Sequence, residues 1–225
     1  MKKADLIFPA IFLAATLLLV MPGPHEQLRR LAAESRYWTG FLAFGVLGTL
    51  QEALRSRLAG RAYPRPASLA ASALMWGGQG LVLALAFWVV NGGVALTQAA
   101  GILPGGGFGD FSSPLKGFFS GFFFTGPFFT SIFVSLGVMH PLLAAQRLGV
   151  AAVDFYLANG RRPSLEEASA VADWTGFIKD EALRIILFRI PILTFVFMLP
   201  SDLWLIGAAW AGVLLGALFG LFSRR

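Results

Sequence analysis

Residues 66–109 read PASLAASALMWGGQGLVLALAFWVVNGGVALTQAAGILPGGGFG, forty-four residues without an Asp, Glu, Lys or Arg. Gly117–Gln146 extends the pattern over thirty residues and Leu203–Ser223 over twenty-one. About 20 apolar residues in a helix cross the roughly 30 Å hydrocarbon core of a bilayer. Three such stretches in a 225-residue chain make lipid its solvent. Only closed hydrogen bonding survives in hydrocarbon, so each span is expected to be a helix. The fold class expected is all-α, a polytopic transmembrane helical bundle of about five to six spans.

Composition supports this reading. The chain is 56% hydrophobic and 13% charged, against about 25% charged in an ordinary soluble domain. No cysteine is present, which excludes disulfides, thiolate catalysis and Cys-ligated metal. The net charge of +6 has its basic residues in short segments between apolar spans, where they orient a membrane chain, so no nucleic acid is expected.

Working outward, the expected spans are 5–21, 37–54, 67–90, 117–139, 182–199 and 203–222, forming a single membrane domain over 1–225. Residues 1–36 form an N-terminal anchor helix and linker. Met1-Lys2-Lys3 before Leu6–Val20 resembles a signal peptide, but Met21-Pro22-Gly23-Pro24 offers no small-x-small cleavage site, so the helix is expected to be retained. Residues 37–54 are the weakest span because Gln51 and Glu52 shorten it. Arg55, Arg57, Arg61 and Arg65 lie in one connection; Arg147, Arg161, Arg162 and Lys179 lie in 140–181. Alternating the spans puts these on one face, which the positive-inside rule makes cytoplasmic, with both termini there and a bacterial inner membrane as the setting. The segment 22–36, with Arg29, Arg30 and Arg36, runs against the rule. Residues 140–181 form a membrane-external helical segment, with an apolar-sided helix and a short one capped by Ser164. Asp180 and Arg184, four apart, could pair on one helix face.

Several constellations carry alternatives. Gly212, Gly216 and Gly220 form a GxxxGxxxG groove for close backbone packing, within the monomer or in a homo-oligomer. Arg189 sits mid-span, where an arginine costs about 2.5–3.5 kcal/mol unless paired or hydrated. It either lines an aqueous path or binds an anionic group, or it is tied to Glu52. Gln79, Asn91, Thr97 and Gln98 line a pore or hydrogen-bond between helices. Pro191 is expected to bend its span, and the Phe-rich run Phe118–Phe129 to kink or pack. Gly92-Gly93 and Gly105-Gly106-Gly107 lack a phosphate-loop signature, so no nucleotide is expected. His25 and His140 stand far apart without HExxH, and no GxSxG elbow occurs. Glu166-Glu167 reads as helix-start acids. No enzyme activity, metal or cofactor is expected.

Ile190-Pro191-Ile192-Leu193-Thr194, then Phe197-Met198-Leu199-Pro200 and a final helix with Trp210, together with Phe128–Leu136, His140-Pro141, Gln146-Arg147 and Asp173-Trp174, resemble the peroxisomal membrane protein 22 kDa-like family. The resemblance covers roughly 112–225, and more weakly Gly45–Arg57. The tryptophan-proline and asparagine-phenylalanine pairs of eukaryotic members are replaced here by Ile190-Pro191 and Val196-Phe197. The resemblance implies a four-helix core with an added N-terminal helix and channel-like or metabolite-permeation roles. The function expected is therefore a channel-like protein, or one regulating small-solute permeation. The alternative is a structural or assembly factor that binds other membrane helices through the Gly-rich face. The lipid bilayer is the certain partner; the solute stays unidentified.

Overall fold

The computed structural model describes residues 10–17, 21–60, 66–104, 125–172, 174 and 184–222. Every regular element among them is helical: α1 (10–17), α2 (Pro22–Glu34), α3 (36–58), α4 (Pro66–Ala99), α5 (Gly126–Asn159), α6 (Leu165–Val171), α7 (Ile185–Phe197) and α8 (Trp204–Phe222). Three stretches, Leu69–Ala99, Gly126–Asn159 and Ser201–Leu221, are long and apolar enough to cross a bilayer. Their surfaces stay apolar: Leu74, Leu85, Val89 and Leu96 on α4 are exposed, as are Phe133 and Leu136 on α5. Water would penalise such faces, whereas lipid does not. The chain is a helical integral membrane protein.

The boundaries correct several expectations. Within residues 22–36, expected as a linker, Pro22 opens the helix α2 at its first turn, where a missing N–H costs least. The third span does not stop at residue 90. It continues through Gly92 and Gly93 to Ala99 and ends where Gly101 adopts φ +73. Two glycines cost roughly 1 kcal/mol each in a helix, but leaving backbone groups unsatisfied in lipid costs more. Residues 126–139 and the predicted external helix form one element, α5. At 1.5 Å per residue its 34 residues reach about 51 Å, so even a 40° tilt leaves part of it outside a roughly 30 Å core. Residues 118–124, Gly105–Gly107, Asp180 and both chain ends lie outside the described residues.

Helical regularity breaks into π turns at three places: Phe44–Gly48 in α3, Val134–Met139 in α5 and Ile185–Arg189 in α7. Two of them precede a proline by one residue, Pro141 after His140 and Pro191 after Ile190. A proline ring collides with the carbonyl four residues back, and a widened turn gives it room. Pro191 therefore acts through the turn before it.

The chain divides into two compact units, residues 1–89 with 195–225 and residues 90–194. In the first, α3 runs antiparallel to α4 through glycine notches. A Cβ on Gly40 would fall 2.5 Å from the Gly80 carbonyl oxygen, and one on Gly80 would collide with that of Gly40. Trp76 fills the space over Gly48, and Phe41 that over Gly77. α8 lies parallel to α3, with Gly212 and Gly216 against Gln51 and Gly220 against Arg55 and Leu58. At one end Phe87, Phe197, Trp204 and Trp88 form an aromatic chain with centroid spacings of 4.9, 5.2 and 5.7 Å. Arg36 stacks over Trp88 at 4.4 Å, and Arg29 pairs with Asp202 at 2.5 Å. That pair brings α2 and the 3-10 turn Ser201–Leu203 to the same end of the unit.

In the second unit, Gly160 ends α5 at φ +70 and a capping box starts α6. The Glu167 N–H donates to Ser164 Oγ at 3.2 Å, and the Ser164 N–H donates to Glu167 Oε2 at 2.8 Å. Arg161 grips the same carboxylate, with Nη1 donating to Oε2 at 3.0 Å. That bond and the Ser164 N–H hold the Glu167 carboxyl well below its ordinary 4.5, at about 2.

Two outcomes follow from these contacts. Gly80→Ala should destabilise the purified protein by about 1–3 kcal/mol in detergent unfolding, through overpacking, whereas Gly78→Ala, with open space around its Cβ, should be neutral or mildly stabilising. Equal effects would show that the crossing does not hold the unit. Because the folded carboxyl of Glu167 titrates lower than the unfolded one, its contribution is complete above pH 4.5 and fades towards pH 2. Amide protection in 165–171, corrected for intrinsic exchange, should fall across that window and lose the step in Glu167→Gln.

Candidate functional site

Polar side chains inside apolar helices gather at two places, one in each unit. In the first, Glu52 follows the π turn Phe44–Gly48 on α3 and faces α4. Its Oε2 accepts a short hydrogen bond from Ser72 Oγ and a longer one, 3.4 Å, from Trp76 Nε1. Ser72, Trp76 and Gln79 are buried. Two neutral donors thus meet one oxygen of Glu52. The preceding residue, Gln51, lies along the Gly212–Gly216 groove. The glycine face that could have received a partner helix is covered by α3 of the same chain, because Gln51, Arg55 and Leu58 fit where a Cβ would collide.

The second place is richer and lies wholly within residues 90–194. α5 enters it antiparallel to the end of α4, with Gly126 beside Gln98 and Thr130 Oγ1 donating to Asn91 Oδ1 at 3.3 Å. One residue on, Ser131 Oγ lies 2.9 Å from Thr194 Oγ1 on α7. Ser131 is also 2.7 Å from the Phe128 carbonyl, and Thr194 2.8 Å from that of Ile190. Two hydroxyls carry two protons, yet three acceptor contacts surround them, so the pair can share its protons in more than one arrangement. One turn deeper, Ser135 is fully buried and its hydroxyl has no hydrogen-bond partner among the described residues. Such a group costs roughly 1–3 kcal/mol unless something meets it.

Ser135 belongs to the π turn Val134–Met139, which lies against the π turn Ile185–Arg189. π turns inside α-helices occur frequently at functional sites, because the inserted residue re-aims its neighbours. Antiparallel register from Ser131 and Thr194 puts Ser135 level with Ile190, beside Arg189 in the chain. The seam therefore descends from Asn91 and Thr130, through Ser131 and Thr194, to the level of Ser135 and Arg189. Thr130, Ser131, Ser135 and Thr194 are all fully buried.

Of the residues expected from sequence, Asn91 belongs to this seam and Arg189 to its deeper π turn. Glu52 and Gln79 belong to the first unit, Glu52 with Ser72 and Trp76 for partners, and Gly212, Gly216 and Gly220 to its helix packing. The hydroxyls Thr130, Ser131, Ser135 and Thr194 were not singled out by sequence reading. Their signal was present as three hydroxyl residues within six positions of a span that is otherwise mostly apolar. No group of three or more His, Cys, Asp or Glu that could hold a metal occurs among the described residues.

Comparison with protein-family models, curated proteins and solved structures finds no match to this chain, so the family resemblance rests on its quoted residues alone.

Coupling between the two shared hydroxyls is measurable. A double-mutant cycle of Ser131→Ala and Thr194→Val should give an interaction energy of about 0.5–1.5 kcal/mol in detergent unfolding, the range for interhelical hydrogen bonds in membranes. Additive effects would mean that the 2.9 Å contact holds nothing together.

Proposed function

We propose that this protein is non-enzymatic and lets small polar solutes pass a bacterial inner membrane, along the hydroxyl seam of its second unit. The observation that carries the reading is the Ser135 hydroxyl, fully buried and unpartnered among the described residues at the deep end of a row of polar side chains. A row that only tied helices together would pair its members, as Ser131 and Thr194 are paired. A group left open at its end offers a hydrogen bond to something that comes and goes. The channel-like role implied by the family resemblance agrees with this reading. The assembly-factor alternative loses its main support, since the glycine groove on α8 is filled by α3.

Topology follows the same proposal. The end of the first unit holding Arg55 and Arg57 faces the cytoplasm, and the end with Arg29, Asp202 and Trp88 faces outward. Both termini then lie inside.

Proteoliposomes test the reading. Glycerol and short-chain solutes should equilibrate faster than in protein-free vesicles. Ser135→Leu, which fills the seam, should slow them by about tenfold, equivalent to roughly 1.4 kcal/mol on the barrier. Vesicles as tight as protein-free ones would end the proposal, as would a Ser135→Leu variant that conducts like the parent.

A further inference from the structure

We infer that Ser164, in the connection between α5 and α6, is a phosphorylation site for an ATP-dependent serine kinase with an acidic substrate cleft. It is independent of permeation and draws only on the topology reading, which places the basic segment on the side that holds ATP. The sequence there is Arg161-Arg162-Pro163-Ser164-Leu165, a hydroxyl with arginines three and two residues before it and a leucine directly after. All of these but Pro163 are exposed, Leu165 at 73%. Two guanidinium groups ahead of a serine are the complement of carboxylates lining a cleft, and charge patterns of this kind are how kinases choose substrates. The bare leucine gives an apolar pocket beside the hydroxyl something to hold.

Shape agrees with charge. A substrate serine reaches the γ-phosphate of ATP on an extended segment, and this one is extended already. Gly160 ends α5 at φ +70, residues 160–164 are not helical, and Ser164 has φ −70 and ψ 164. Pro163 fixes its own φ and drives Arg162 towards the extended region, so little backbone order has to be gained on binding. Ser164 Oγ accepts from the Glu167 N–H at 3.2 Å and donates to no described residue, which leaves its proton unspent. The Arg161–Glu167 pair has to open, and exposed pairs hold weakly in water.

In the transfer, Ser164 Oγ attacks the γ-phosphorus of ATP and the bond to the β,γ-bridging oxygen breaks. ADP leaves, and the hydroxyl proton passes to a carboxylate of the kinase. The product carries a charge of about −1.5 to −2 at pH 7. It stands one hydrogen bond from Glu167, repels that carboxylate and competes for Arg161. The capping box then opens, and the start of the seven-residue helix α6 loosens.

The full-length protein in detergent, with both faces open to solvent, can be incubated with ATP and a purified arginine-directed serine kinase, then read by intact mass and peptide mapping. One phosphate per chain should appear, at Ser164, and none in Ser164→Ala. Arg161→Ala and Arg162→Ala together should lower kcat/KM at least about tenfold. In the phosphorylated chain the Glu167 carboxyl should titrate above its value of about 2, because Arg161 has left it. A peptide covering 158–168 that is labelled while the folded protein is not would overturn the inference, since the fold would hide the site. Label mapping to other residues, or indifference to both arginines, would overturn it too. So would native membranes, prepared with phosphatase inhibitors from growing and resting cells, in which Ser164 never carries phosphate. An unmoved Glu167 titration would refute the opening of the cap.

Discussion

Backbone contact between helices is the constraint on which the first unit depends. In water, helices are driven together by burying apolar faces; in lipid that drive is gone, because the tails are as apolar as leucine. What remains is close van der Waals contact and a few hydrogen bonds. Gly40 against Gly80 brings two main chains together where no side chain can fit. Around that point the larger residues interlock, Trp76 over Gly48 and Phe41 over Gly77. Glu52 can sit between α3 and α4 only because this contact holds Ser72 and Trp76 within reach of its carboxylate.

The second unit solves a different problem. Its helices carry hydroxyls rather than glycines at the crossing of α5 and α7, and their bonds run partly to each other and partly back to their own helices. Back-bonding of this kind satisfies a hydroxyl inside lipid without fixing a partner, so the crossing can rearrange at little cost. Beyond the membrane-length part of α5, Gly160 and the Ser164 capping box turn the chain sharply, with charges paired at the surface.

Much of the fold was legible from the order of residues. Uncharged length found the apolar helices, and Ser164 with Glu167 announced the start of α6. Boundaries were less readable where lipid overrides local preference: the span expected to stop at residue 90 continues through Gly92 and Gly93 to Ala99, since a broken helix would leave backbone groups bare. The glycine groove on α8 was visible, whereas the notches on α3 and α4 were not, because their spacings, Gly40-Gly45-Gly48 and Gly77-Gly80, follow no single repeat. At the candidate site Asn91 and Arg189 stood out as polar in apolar surroundings. Ser131, Ser135 and Thr194 did not, because small hydroxyls are common in membrane helices and only the register of α5 with α7 gathers them. The π turns had a signal of their own in the positions of Pro141 and Pro191, readable once the widening is known.

One consequence concerns the order in which the molecule is made. The first unit is discontinuous, built from the beginning of the chain and from residues 195–225. α3 and α4 are neighbours in sequence and can dock as soon as both have entered the bilayer. The flank of α3 carrying Gln51 and Leu58 waits for α8, which follows every other described helix. During synthesis that flank stays uncovered while residues 90–194 are made, so the nascent chain presents an unfinished helix face until α8 follows.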